Sequence, residues 1–301
     1  VRDLWIKDDG RNPTGSLKDR ASAMVVAHAM RLNVAVVTTA STGNAAAALA
    51  GIAASIGMRA VIFVPSSAPE AKIAQLRVYG AEVNLVQGTY DEAFDLCLVT
   101  AEKNGWYCRN TGINPYTTEG KKTVSYEIAE QLGWESPDVV VVSVGDGSII
   151  GGVYKGFSDL VALGWITKLP RLIGVQAEGS AACYQAWQAG SNGATMQPIR
   201  AQTVADSISS DLPRDRVKAI RAVRNSSGAF VTVSDSEILD SIPTLARGSG
   251  IFTEPACAAT WAGLIRARET GLVAESERVV LLGTGNGLKD IKSAIRSVRD
   301  G

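Results

Sequence analysis

The chain has 301 residues, enough to bury a large core in one or two domains. Thirty basic and thirty acidic residues cancel, which argues against nucleic acid or an anionic membrane surface as a partner. No stretch resembles a signal peptide or a membrane span, and the four cysteines form no C-x-x-C pair. Reduced thiols in a cytoplasmic protein are therefore expected.

In chain order, Val1 opens straight into a strand-like run. Asn12-Pro13-Thr14-Gly15-Ser16-Leu17-Lys18-Asp19-Arg20 then reads as a turn before a long apolar, Ala-rich helix. A helix start after a turn presents its first side chains at an open end. Lys18 can there reach a ligand, and its amine can form a Schiff base with an aldehyde cofactor such as pyridoxal phosphate. A solvated first-turn lysine is the plainer reading of Lys18 alone. His28, the only histidine, falls in the following helix and reads as a packed or surface residue. Its solitude removes multi-histidine metal sites and any Ser-His-Asp machinery not using His28.

Val34 to Thr39 is a β-branched run, and the Ala-rich stretch after Asn44 is strongly helix-forming. Ser41-Thr42-Gly43-Asn44 thus falls in a strand-to-helix turn, where backbone N–H groups are free. Such a turn suits a carboxylate, a phosphate or a ring hydroxyl; an ordinary N-cap explains it equally. Val139 to Val142 is an unbroken apolar run of the kind found in buried parallel strands. It leads into Ser143-Val144-Gly145-Asp146-Gly147-Ser148-Ile149-Ile150-Gly151-Gly152, whose glycines let backbone N–H groups close around a phosphate. The spacing is not a dinucleotide fingerprint. Val279 to Leu282 leads into a third such turn, Gly283-Thr284-Gly285-Asn286-Gly287-Leu288-Lys289-Asp290. There the Thr284 hydroxyl can pair with a heteroaromatic nitrogen.

Strands are expected at Ala35–Thr39, Ala60–Val64, Glu82–Val86, Val139–Val144, Leu172–Gln176, Phe230–Val233 and Val279–Leu282, with helical stretches between most of them. That alternation predicts α/β layers with mostly parallel sheet. Residues 190–216 lack periodic pattern and read as loop-rich. Ligands of open α/β sheets bind outside the carboxyl ends of strands, which is where all three polar turns fall.

Taken together, N-P-T-G-S-L-K-D-R at 12–20, S-T-G-N at 41–44, G-D-G-S-I at 145–149, E-P-A at 254–256 and T-G-N-G-L-K-D at 284–290 resemble the tryptophan-synthase-β fold family of pyridoxal-phosphate enzymes (fold type II). Within that family they are most similar to the threonine synthases. The resemblance implies two open α/β domains with mostly parallel sheets and the cofactor in the cleft between them. The large domain would comprise 1–21 and 123–301, and the small inserted one 22–122. It implies Lys18 as the Schiff-base and catalytic lysine, and Asn44 on the ring hydroxyl. Gly145, Asp146, Gly147, Ser148 and Ile149 would lie around the cofactor phosphate, with Thr284 at the pyridine nitrogen. Ser41 and Thr42 would hold the substrate carboxylate. The implied reaction converts O-phosphohomoserine and water to L-threonine and phosphate, in a cytoplasmic homodimer with an amino-acid substrate.

Three departures bear on this. Thr117, in Asn114-Pro115-Tyr116-Thr117-Thr118-Glu119-Gly120, stands where related enzymes often carry a base for the substrate phosphate; Lys121 and Lys122 lie nearby. Asp146 would repel a phosphate unless its side chain points away. Members usually have a segment before the residue matching Val1, so a fragment or an unusually short member is expected. The alternatives are a serine/threonine dehydratase or a β-replacement enzyme on the same scaffold, and a nucleotide- or phosphate-binding module without chemistry. Cys257, after Glu254-Pro255-Ala256, reads as a buried small residue.

Overall fold

The computed structural model describes residues 1–41, 43–68 and 70–299. Among the described residues nine strands form: β1 (Asp3–Asp8), β2 (Val36–Ala40), β3 (Arg59–Pro65), β4 (Glu82–Val86), β5 (Tyr107–Cys108), β6 (Val139–Ser143), β7 (Arg171–Ala177), β8 (Ala229–Val233) and β9 (Arg278–Gly283). The helices before residue 122 are α1 (Lys18–Arg31), α2 (Asn44–Ser55), α3 (Glu70–Val78), α4 (Tyr90–Asn104) and α5 (Tyr116–Lys121). Those after it are α6 (Thr123–Gln131), α7 (Ser148–Ala162), α8 (Ala182–Gln188), α9 (Arg216–Asn225), α10 (Asp235–Ser249), α11 (Pro255–Glu269) and α12 (Ile291–Arg299). Each of the seven expected strands is present, and β1 is the strand-like opening run. Only β5, two residues long, has no counterpart in the sequence reading.

By contact the chain falls into two compact units, Val1–Arg11 with the chain from Lys122 onward, and Asn12–Lys121. The resemblance places the first boundary after residue 21, whereas by contact it falls at Arg11. The cause is α1, which packs on α2 and α5 and carries Lys18 with it into the inserted unit.

The larger unit holds a five-stranded sheet in the order β1-β9-β6-β7-β8, every neighbouring pair parallel. Its central strands are continuous apolar runs because both faces are covered. On one face Val139, Val141, Ile173, Val175 and Leu281 pack with Ala258, Ala259 and Ala262 of α11. The inserted unit holds a second parallel sheet, in the order β4-β3-β2-β5. There the two-residue period sorts side chains cleanly. Val37, Ala60, Ile62 and Val64 pack with the alanines of α2, while Val36, Ala40, Val61 and Phe63 pack with Phe94 and Cys97 of α4. Helix α4 starts with a capping box: Thr89 Oγ1 accepts from Glu92 N, and the Glu92 carboxylate accepts from Thr89 N. Residues 190–216 contain one short 3-10 turn, Asp206–Ile208, before α9 begins.

Each sheet reverses its strand order once. In the larger sheet β7 and β8 follow β6 on one side and β9 lies on the other; in the smaller, β3 and β4 lie on one side of β2 and β5 on the other. A crevice opens at such a reversal, outside the carboxyl ends of the two diverging strands. The turns after β6 and β9 therefore share one switch point, and those after β2 and β5 share another.

Candidate active site

Lys18 is the first residue of α1 and is partly buried. The turn before it is held by its own side chains. Thr14 N and Thr14 Oγ1 both donate to the Asp19 carboxylate, at 2.8 and 2.6 Å. Asn12 Nδ2 donates to the Ser16 carbonyl at 3.2 Å, and Gly15 N to the Asn12 carbonyl at 2.8 Å. Gly15 has φ +83°, a conformation glycine adopts without strain. Asp19 is thus a local clasp: buried and bidentate, it ties Thr14 to the first turn of α1 on the other side of Lys18.

At the smaller switch point β2 ends at Ala40 and α2 starts at Asn44. The helix is capped by Gly43, with no side-chain cap, so neither Ser41 nor Asn44 serves as an ordinary N-cap. Ser41 Oγ accepts from Gly43 N at 3.2 Å, and Asn44 is buried. Thr42 lies outside the described residues. Asn110, two residues past β5, closes the crevice from the other strand: its Oδ1 accepts from Ala40 N at 2.8 Å and from Thr39 Oγ1 at 2.9 Å. Because Ala40 N can only donate, the orientation of the Asn110 amide is determined.

At the larger switch point Gly147 caps α7 with φ +85° and no side-chain cap. A Cβ there would stand 2.7 Å from the Ala219 Cβ, so glycine is required by both conformation and space. The first-turn N–H groups of a helix have no intrahelical acceptor and lie at its positive end. Asp146 points away from them. Its Oδ1 accepts from Ser210 Oγ and Arg214 N, at 3.3 and 3.2 Å, and its carbonyl accepts from Asp215 N at 2.8 Å. The turn after β9 is stitched to the segment before α11. Glu254 N donates to the Gly285 carbonyl and Gly287 N to the Phe252 carbonyl, and Thr253 bridges to Asn286. A Cβ on Gly285 would meet the Glu254 carboxylate at 2.2 Å. This packing explains why E-P-A and T-G-N-G occur together. Thr284 is buried in the turn.

Pyridoxal phosphate fits these donors. An uncapped helix start following a strand offers backbone N–H groups to a phosphate without an opposing carboxylate. Two buried hydroxyls, Ser143 Oγ at the end of β6 and Thr253 Oγ1, have no hydrogen-bond partner, as expected where a bound polar group completes the network. The sequence reading named Ser143 only as part of the turn, and passed over Thr253 and Asn110. Ser143 had a signal, as the one polar residue ending an apolar strand before a glycine turn. Thr253 and Asn110 had none, since their roles depend on residues distant in the chain.

Other polar candidates are engaged elsewhere. His28 stacks on Tyr116 at 3.8 Å, and its Nδ1 lies 2.8 Å from the Tyr107 hydroxyl. Thr117 Oγ1 donates to the Asn114 carbonyl at 2.8 Å. Lys121 is fully buried in α5. Lys122 pairs with Asp159 at 2.9 Å, and Lys155 and Tyr126 donate to the same carboxylate. Burial is the largest influence on Asp159 and opposes ionisation, but these donors outweigh it and hold its pKa below the usual value. All four cysteines are unpaired. Burial, then the Glu254 charge, pushes the Cys257 thiol up to about 12, which suits a packing residue and not a nucleophile.

The family model for pyridoxal-phosphate dependent enzymes matches residues 1–285. The threonine synthase of Methanocaldococcus jannaschii is 38% identical over 299 residues, covering 99% of this chain and 73% of that protein. The threonine synthase of Mycobacterium tuberculosis (strain H37Rv) is 36% identical over 297 residues, covering 98% and 79%. Among solved structures, the processed form of threonine deaminase isoform 2 from Solanum lycopersicum superposes with a TM-score of 0.83 at 23% identity, covering 99% of this chain and 79% of that one. Maize serine racemase superposes with a TM-score of 0.81 at 23% identity, covering 99% and 87%. At that identity the structures speak for the fold alone. A match along almost the whole chain, with parallel sheets and uncapped strand-end turns in the expected places, has one reading: the chain belongs to the family of pyridoxal-phosphate dependent enzymes.

Proposed function

We propose that this enzyme is a threonine synthase, a lyase that converts O-phosphohomoserine and water to L-threonine and phosphate. One observation carries the reaction above the others: the near full-length likeness to threonine synthases. When bound, pyridoxal phosphate supplies an electron sink for negative charge developing at the carbons of the amino acid. Lys18 would hold the cofactor through its amine. The same amine would take the proton from Cα of the amino acid and move protons afterwards. Its placement supports this, at the start of α1 in a turn clasped by Asp19. Asn44 donates to the ring hydroxyl. The backbone of Gly145, Asp146, Gly147, Ser148 and Ile149 holds the phosphate, and the Thr284 hydroxyl faces the ring nitrogen. Ser41 and Thr42 hold the substrate carboxylate. A cytoplasmic homodimer is proposed with this reading, to be checked by sedimentation and cell fractionation.

A second reading has one observation in its favour. The Thr117 hydroxyl is occupied by the Asn114 carbonyl and the Lys122 amine by Asp159. Neither supplies a charge for a substrate phosphate, and a serine/threonine dehydratase needs none. The deciding experiment supplies the purified enzyme with cofactor, records its visible spectrum before and after borohydride, and assays O-phosphohomoserine, L-serine and L-threonine. A visible band lost on reduction, with phosphate and threonine formed together, supports the synthase. The same band with keto acid from serine and no phosphate release reassigns the enzyme as a dehydratase. With no band at all, the role of Lys18 fails.

A further inference from the structure

Two thiols lie beneath the smaller switch point. Thr38 of β2 and Cys108 of β5 are register partners in a parallel pair, so their side chains project from the same face of the sheet. On that face Cys97 of α4 meets Thr38, with Oγ1 and Sγ 3.5 Å apart. Cys108 packs against the same cluster of Val36, Ala40, Phe94 and Cys97. Both thiols therefore sit on one face of the β2–β5 ladder within one packed cluster. Contact with Cys108, then burial, raises the Cys97 thiol, while Cys97 favours ionisation of Cys108 against the opposing effect of burial, aided by Asn110 N and the Arg109 charge. Cys97 is fully buried and Cys108 partly exposed, so a small oxidant reaches Cys108 first.

The pair also touches the element that fixes the neighbouring turn. The Asn110 side chain lies beside Cys97, and its Oδ1 holds Ala40 N and Thr39 Oγ1. Ser41 follows directly. The Asn110 Nδ2 is buried with the Cys97 sulfur beside it and has no other partner, so Oδ1 carries the firm contacts of the amide.

We propose that Cys97 and Cys108 form a redox-active dithiol that closes to a disulfide under a peroxide and, through Asn110, loosens the grip of the Ser41–Asn44 turn on the amino acid. The Cys108 thiolate attacks one peroxide oxygen, the O–O bond breaks, and Cys108 becomes a sulfenic acid. The Cys97 sulfur then attacks the Cys108 sulfur, expelling the hydroxyl. Two thiols and one hydrogen peroxide give one disulfide and two waters. The bond would tie α4 to β5 two residues before Asn110. This second half rests on the reading that the turn binds the substrate carboxylate.

The test treats the cofactor-loaded enzyme with hydrogen peroxide, blocks free thiols, and maps tryptic peptides alongside kinetics on O-phosphohomoserine. Lys103 lies between the cysteines, so only a disulfide joins their peptides. The expected result is a linked Cys97–Cys108 pair, cleaved by dithiothreitol. With it should come a reversible rise in KM of about five- to tenfold, the size of one lost hydrogen bond. Cys108→Ser should keep the untreated KM, lose the link and lose the peroxide effect. Cys97→Ala serves as the second variant where folding allows. Phenylarsine oxide, which needs two adjacent thiols, should bind the wild type once and Cys108→Ser not at all. Sulfinic acid at Cys108 with no linked peptide overturns the dithiol, and a clean link with unchanged KM overturns its coupling to the turn. If untreated enzyme makes no threonine, the proposed reaction fails, while the peptide map still decides the dithiol.

Discussion

The two sheets solve one geometric problem with different materials. Both are parallel, both reverse strand order once, and both place polar turns outside the diverging strands. At the larger switch point the turns are backbone: glycine caps α7, and Asp146 beside it is turned toward Ser210 and Arg214. In the inserted unit the turns are built from side chains, with Asp19 clasping Thr14 and Asn110 holding the end of β2. Bare N–H groups suit a dispersed charge such as a phosphate. The reacting amine and the carboxylate site proposed for the inserted unit need defined directions, which held side chains provide. Glycine substitutions should therefore damage the first site, and truncated polar side chains the second.

The largest effect is expected from Lys18→Ala, which should lower turnover by roughly 10³-fold or more and abolish the visible cofactor band while the circular dichroism stays native. Next is Gly147→Val. A left-handed conformation costs a branched side chain about 1–2 kcal/mol, and the approach to Ala219 adds overpacking of about 1–3 kcal/mol. Equilibrium dialysis should show cofactor affinity falling by roughly 10- to 100-fold, and unchanged affinity would break the comparison. Asp19→Ala should cost about 2–3 kcal/mol of local stability, lowering kcat while leaving cofactor affinity close to wild type. Asn110→Ala should raise the KM for the amino acid about five- to tenfold with kcat retained; an equal loss in both would make Asn110 merely structural. The smallest effect is expected from Asp146→Asn, with cofactor affinity within about threefold of wild type. A tenfold gain would mean that the carboxylate faces the phosphate after all.

Seven strands were legible because each is a short apolar run bounded by turn residues. β5 was not, since two residues carry no period. The candidate turns were legible as strand-to-helix junctions, and Gly43 and Gly147 occupy the caps where side chains would have masked the N–H groups. What stayed hidden is the fastening. Asp19 and Thr14 are five residues apart, yet nothing in their types announces a bidentate clasp. Asn110 acts on residues 70 and 71 positions away. The bridge from Thr253 to Asn286 becomes visible only when α11 and β9 are placed together.

β1 has a consequence for how the molecule is made. It pairs along its whole length with β9, and the Asp3–Arg278 pair at the start of that ladder spans 275 residues. During synthesis β1 emerges well before β9 and lacks that ladder partner until 275 further residues have been made. Asn12–Lys121 contains every strand of its own sheet and can close early. Pairing over such separations is slow, so β1 is fixed late although it is translated before the rest of its sheet. A nascent chain halted before Arg278 should expose β1 to proteases while the inserted unit already resists them.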